Sequence, residues 1–136
     1  MSNFIGSTID HLGIDVSDIA QAQAFYDPVL RPLGITLVMS IEADPPRSKP
    51  RRLGFGSGAK PFLWLRDARV PSYGAHIALV APNREAVIAF HAAGIAAGGQ
   101  DNGAPGIRPH YHAHYYSAYV LTPDGVNLEA VCQEQS

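Results

Sequence analysis

His11 and His76 stand at matching points of two short runs, 9–16 and 75–81, that alternate apolar with polar or small residues. In the first run Leu12, Ile14 and Val16 take one face and His11, Gly13 and Asp15 the other, the pattern of a half-buried strand whose histidine looks away from the core. Glu129 takes the corresponding face of a third run, 126–132, whose apolar side is Val126, Leu128 and Ala130. Two imidazoles and one carboxylate converging inside a concave sheet would form a facial triad. Such a triad holds a divalent metal by three protein ligands and leaves other positions open to substrate, water or oxygen. Taken singly, each histidine reads more simply as a hydrogen-bonded strand residue; the shared position of the two is what raises the metal reading. A lone carboxylate in a flanked strand is expensive to bury, and a cation offsets that cost.

Other side chains could complete such a site. Trp64, with Phe62 and Arg66 on the same strand face, would make an aromatic wall for an apolar or planar substrate. If Pro123-Asp124-Gly125 closes a three-residue hairpin loop with Gly in the left-handed conformation, Tyr119 stands opposite Glu129 as a candidate catalytic acid. Arg108, after Pro105-Gly106, could reach over the hollow and fix an anionic group. The tract 108–116 holds His110, His112 and His114, but alternation gives them no carboxylate partner, so it reads as a solvated edge or subunit contact. Cys132, the sole cysteine, reads as a small core residue; it permits neither an intrachain disulfide nor a thiolate zinc cluster. No nucleophile elbow, phosphate loop or dinucleotide fingerprint is present.

The elements that must position these groups repeat. Offset by about 65 residues, His11 meets His76, Phe25 meets Phe90 and Gly34 meets Gly99. After the first strand Ser17-Asp18 offers a helix cap, and Ala22, Phe25, Tyr26, Val29, Leu30 and Leu33 form one helical stripe ending near Gly34. Pro28 and Pro32 should kink or shorten its last turns. In the second half Asn83 caps a stripe of Val87, Phe90, His91 and Ile95, stopped by Gly98-Gly99. Strands are expected at 35–42, 52–56 and 61–66, the last two a hairpin through Gly56-Ser57-Gly58. A Gly- and Pro-rich loop over 98–109 precedes strands at 115–121 and 126–132. Each half, about 8–67 and 74–132, is therefore βαβββ in one α+β domain, and two such halves side by side would curve their open faces into a mixed sheet around a shared concave site. In that register Glu129 matches Trp64, which cannot ligate a metal, so the halves contribute unequally.

Composition bounds the partners. Ten basic against twelve acidic residues give a net charge of −2 in 136 residues, 46% of them apolar. This argues for one packed domain and against nucleic acid as a partner. The absence of a membrane-length apolar run, and of a basic flank before an apolar run at the N-terminus, suggests a cytoplasmic protein that is not membrane-bound.

The segments Ile9-Asp10-His11-Leu12-Gly13, Phe25-Tyr26, Gly74-Ala75-His76-Ile77-Ala78 and Thr122-Pro123-Asp124-Gly125-Val126-Asn127-Leu128-Glu129 resemble the vicinal oxygen chelate superfamily. That group includes glyoxalase I, extradiol dioxygenases, fosfomycin-resistance transferases and bleomycin-resistance proteins. The resemblance implies the paired βαβββ fold, carries the family's metal positions onto His11, His76 and Glu129, and implies a divalent Fe, Mn, Zn or Ni ion that chelates adjacent oxygens of a small-molecule substrate. It also implies a homodimer, in some members with each site shared between chains. Glyoxalase I enzymes usually place a second carboxylate where Trp64 stands, so the resemblance points to dioxygenase-like or other lyase or transferase chemistry before true glyoxalase activity. The competing expectation is a metal-free dimer that sequesters an aromatic drug or toxic compound, as bleomycin-resistance proteins do.

Overall fold

A computed structural model describes residues 8–134. Its elements run in chain order as β1 (Leu12–Val16), α1 (Ile19–Leu30), β2 (Thr36–Ile41), β3 (Arg52–Gly56), β4 (Leu63–Asp67), β5 (His76–Val80), α2 (Arg84–Ala96), β6 (Gln100–Ile107), β7 (Tyr116–Leu121) and β8 (Asn127–Cys132). Both helices start on side-chain caps. The Asp18 carboxylate accepts from the Gln21 backbone N–H at 3.1 Å, and the Asn83 side-chain oxygen from that of Ala86 at 2.8 Å, which satisfies N–H groups that have no partner within the helix. The α1 stripe buries Ala22, Phe25, Tyr26, Val29 and Leu30. At Arg31 the helix tightens into a 3-10 turn that contains Pro32, and Gly34 closes it at a φ of 76°, which glycine adopts without steric cost.

The sheets have the orders β1-β4-β3-β2 and β5-β8-β7-β6. In each, the outer strand that opens the half pairs parallel to the fourth strand, and the other pairs are antiparallel. The same βαβββ plan thus occurs twice. One buried cluster joins the halves: Ile14, Leu53 and Leu65 from the first sheet and Ile77, Val120 and Leu128 from the second belong to it, together with both helices, which pack on each other. At Gly94 α2 comes so close to β7 that a Cβ would lie 2.9 Å from Val120.

The structure departs from the sequence reading in several places. The stretch expected as a loop over 98–109 contains β6, an edge strand whose pairing with β7 shifts register twice, between Asp101 and Gly103 and between Gly103 and Gly106. An edge strand pairs on one side only, so it tolerates Pro105 and needs no alternating apolar face. The chain between β3 and β4 is longer than the expected three-residue turn, and β1 begins at Leu12, one residue after His11. Among the described residues the two sheets share no strand pairing. The open faces line separate hollows, where a common one was expected.

Candidate functional site

On the second sheet, alternation along β8 puts Leu128 and Ala130 into the core and Glu129 on the open face, yet Glu129 is only 1% exposed. Its carboxylate is held at both oxygens. Nε2 of His76 lies 2.9 Å from Oε1, and the Tyr115 hydroxyl donates to Oε2 at 2.6 Å. Tyr119 is the direct cross-strand partner of Glu129, with its ring 6.1 Å from that of His76. The register follows from the hairpin: the Thr122 N–H donates to the Val126 carbonyl at 2.9 Å and Gly125 takes a φ of 80°, as the three-residue loop required. Burial raises the Tyr115 and Tyr119 phenols above their ordinary value, and for Tyr115 the hydrogen bond to Glu129 raises it further. Both therefore keep their protons at neutral pH.

Arg108 donates from its two terminal nitrogens to the Gly106 and Ala104 carbonyls, each at 2.8 Å, and lies over the Tyr119 ring at 5.5 Å. His76, Asn102, Arg108, His110, Tyr119 and Asn127 are among the residues that line this hollow of about 420 Å³. The His-rich tract is the loop from β6 to β7, with His110 exposed and its ring centre 4.1 Å from that of Tyr111 at a 45° tilt.

The first sheet offers a different surface around a hollow of about 820 Å³. Trp64 has glycine on both sides, Gly13 on β1 and Gly54 on β3. One step along, Arg66 lies between Asp15 and Arg52. Arg66 binds Asp15 with two hydrogen bonds, of 2.7 and 2.9 Å, and this guanidinium holds the Asp15 carboxyl below the usual carboxylate range. At the other end Nδ1 of His11 lies 2.7 Å from an Asp10 oxygen, and Lys60 reaches the other Asp10 oxygen at 3.0 Å. The His11 and Lys60 hydrogen bonds hold the Asp10 carboxyl low as well.

The chain thus brings His76 and Glu129 together and leaves His11 in the other hollow. Among the described residues, no group of three His, Cys, Asp or Glu side chains gathers within one chain. His76 and Glu129 suit half of a metal site, because their donor atoms, 2.9 Å apart, have the spacing of neighbouring ligands on an ion with bonds of about 2.1 Å. Trp64 and Arg66 line the first hollow together, and Phe62 does not. It precedes β4, packs against the core and lines a separate crevice with Leu33, Ile35 and Val80. The residue that sequence reasoning missed is Tyr115, although stepping back by twos from Tyr119 through Ser117 reaches it.

The family model for the Glyoxalase/Bleomycin resistance protein/Dioxygenase superfamily matches residues 8–130. Among solved structures, a glyoxalase/bleomycin resistance protein from Albidiferax ferrireducens T118 is 28% identical with a TM-score of 0.77, over 93% of this chain and 99% of that one. A glyoxalase/bleomycin resistance protein/dioxygenase family enzyme from Burkholderia phytofirmans PsJN is 19% identical with a TM-score of 0.65, over 94% of this chain and 100% of that one. Glyoxalase I from Zea mays is 21% identical with a TM-score of 0.65, over 91% of this chain and 45% of that one, and shares the fold. A search of curated proteins finds no match. Among the described residues no helix is long and apolar enough to cross a membrane.

Proposed function

This chain belongs to the Glyoxalase/Bleomycin resistance protein/Dioxygenase superfamily, and on that premise we propose that it acts as a homodimeric metal-dependent enzyme whose cup forms where the first sheet of one copy meets the second sheet of another. The observation that carries this reading is the buried Glu129 carboxylate on an open sheet face, with His76 Nε2 at 2.9 Å. His76 and Glu129 of one copy, with His11 of the other, would hold a divalent Fe, Mn, Zn or Ni ion. Such an ion supplies Lewis-acid stabilisation of negative charge developing on adjacent substrate oxygens. Support for a second copy comes from the outer strands: β1 and β5 each stand at a sheet edge, and Val80 on β5 is 79% exposed.

The chain's own residues have separate tasks. Tyr115 holds Glu129 by its Oε2, which leaves Oε1 toward His76. Tyr119 keeps its proton at neutral pH and can donate it to a substrate oxygen. Arg108, tied to two carbonyls, presents a fixed positive charge at the rim. With Trp64 where a second carboxylate would serve glyoxalase I chemistry, dioxygenase-like or other lyase or transferase chemistry is favoured.

Elemental analysis of purified protein tests the reading: about one ion per chain is expected, lost in His76→Ala and Glu129→Ala. A second reading, a metal-free dimer that sequesters an aromatic compound, is favoured by the Trp64 surface and predicts metal-free protein. Screening catechols, thiol adducts and α-oxoaldehydes against the metal-loaded protein then identifies the reaction.

A further inference from the structure

On the open face of the first sheet, three cations face two carboxylates. Arg66 is committed to Asp15 and Lys60 to Asp10. Arg52, half-buried on β3 and directly across from Arg66, has neither a carboxylate nor a hydrogen-bond partner among the described residues, and its Nε is shut off from solvent. Two guanidiniums opposite each other on adjacent strands repel, and the one carboxylate in their row already serves Arg66. A partly desolvated cation with no counter-charge is costly unless an anion arrives with a ligand.

The neighbouring row supplies a flat surface. Gly13 and Gly54 leave no side chain on either side of Trp64, and the indole leans across β3 until Cη2 and Cζ3 occupy the space a Cβ of residue 54 would need. Pro61 packs against the same point. Arg52 and Trp64 line one hollow, so a stacking surface and an unneutralised guanidinium lie side by side.

We infer that this face binds a planar aromatic molecule carrying one carboxylate, its ring on Trp64 and its negative group at Arg52. The inference deepens the proposed cup by naming the substrate class, and rests on that reading only in treating this face as part of the cup. Aromatic rings gain from an indole face, and a charged hydrogen bond at Arg52 distinguishes an acid from its neutral isostere.

Trp64 is the only tryptophan, so its emission reports this surface alone. The experiment titrates the metal-free full chain with phenylacetate, phenylacetamide and cyclohexylacetate. Phenylacetate should quench the emission saturably and bind roughly ten-fold or more tightly than the amide, with the saturated-ring acid also weaker. Arg52→Gln should abolish the preference for the acid and Arg52→Lys retain part of it, each with an unchanged near-UV circular dichroism spectrum. Equal binding of acid and amide, a preference that survives Arg52→Gln, equal binding of the saturated acid, or no quenching overturns the inference. Metal content is measured separately. A chain that loads metal without preferring the acid fails this inference alone, and one that prefers the acid without loading metal fails the metal reading alone.

Discussion

Trp64 and Gly54 face each other across β4 and β3, and the far edge of the indole comes within 3.0 Å of where a Cβ at position 54 would sit, with Pro61 Cβ at 2.8 Å from the same point. The glycine is what lets the ring lie along the sheet. Gly54→Ala should force the indole or Pro61 to move and cost about 1–3 kcal/mol, the usual range for overpacking a closed contact. Chemical denaturation measures the loss, and the Trp64 emission maximum should shift to the red as the ring lifts into water. Unchanged stability and emission would show that the indole does not rest there.

Tyr115→Phe removes the donor to Oε2 of a carboxylate that is 1% exposed. An unsatisfied buried acceptor costs about 1–3 kcal/mol, and more when it is charged. The variant should therefore lose at least that range in denaturant unfolding, and should bind metal more weakly because Glu129 is no longer aimed. Tyr119→Phe should cost less stability and act chiefly on turnover, since its phenol faces the hollow.

Burial raises the phenols of Tyr26 and Tyr115, aided by Asp124 at the first and Glu129 at the second. A group whose folded value lies above its unfolded value contributes stability that is fully present below the unfolded value, about 10 for tyrosine, and lost as pH rises through the folded one. Unfolding free energy should therefore hold below about pH 10 and decline above it. Ultraviolet titration of the six tyrosines should show late ionisation of Tyr26, Tyr115 and Tyr119. Tyr115→Phe should make the alkaline decline shallower, and an identical slope in the variant would count against a raised Tyr115.

Strands β1 and β5 were legible because each buries one face, which imposes strict alternation and places His76 on the open side; β8 is buried on both faces, and there the alternation of Val126, Leu128 and Ala130 with Asn127 and Glu129 marked the open side. β6 was not, because an edge strand with two register shifts has no such obligation. Phe62 lines a crevice apart from the Trp64 hollow although its backbone still bonds to Leu12 and Phe55, a placement that alternation along one strand does not show. His11 shows the deeper limit: periodicity tells which face of its own sheet a residue occupies, but not which sheets meet. That depends on how α1 and α2 pack, and these helices join the two sheets through one core while the open faces line separate hollows.

That separation permits a decisive test of where the metal site forms. If His11 of one copy completes the His76–Glu129 pair of another, a two-fold dimer holds two sites, and every site in a His11→Ala or Glu129→Ala homodimer is damaged. Mixing the two variants under conditions that exchange subunits creates heterodimers. One of the two sites then takes His11 from the Glu129→Ala chain and His76 with Glu129 from the His11→Ala chain, and is whole. Random exchange makes about half of the dimers mixed, so about a quarter of all sites should regain metal and activity. Isothermal titration with the metal, before and after exchange, measures the recovered stoichiometry. A site built within one chain would recover nothing on mixing, because each chain would carry its own defect with it.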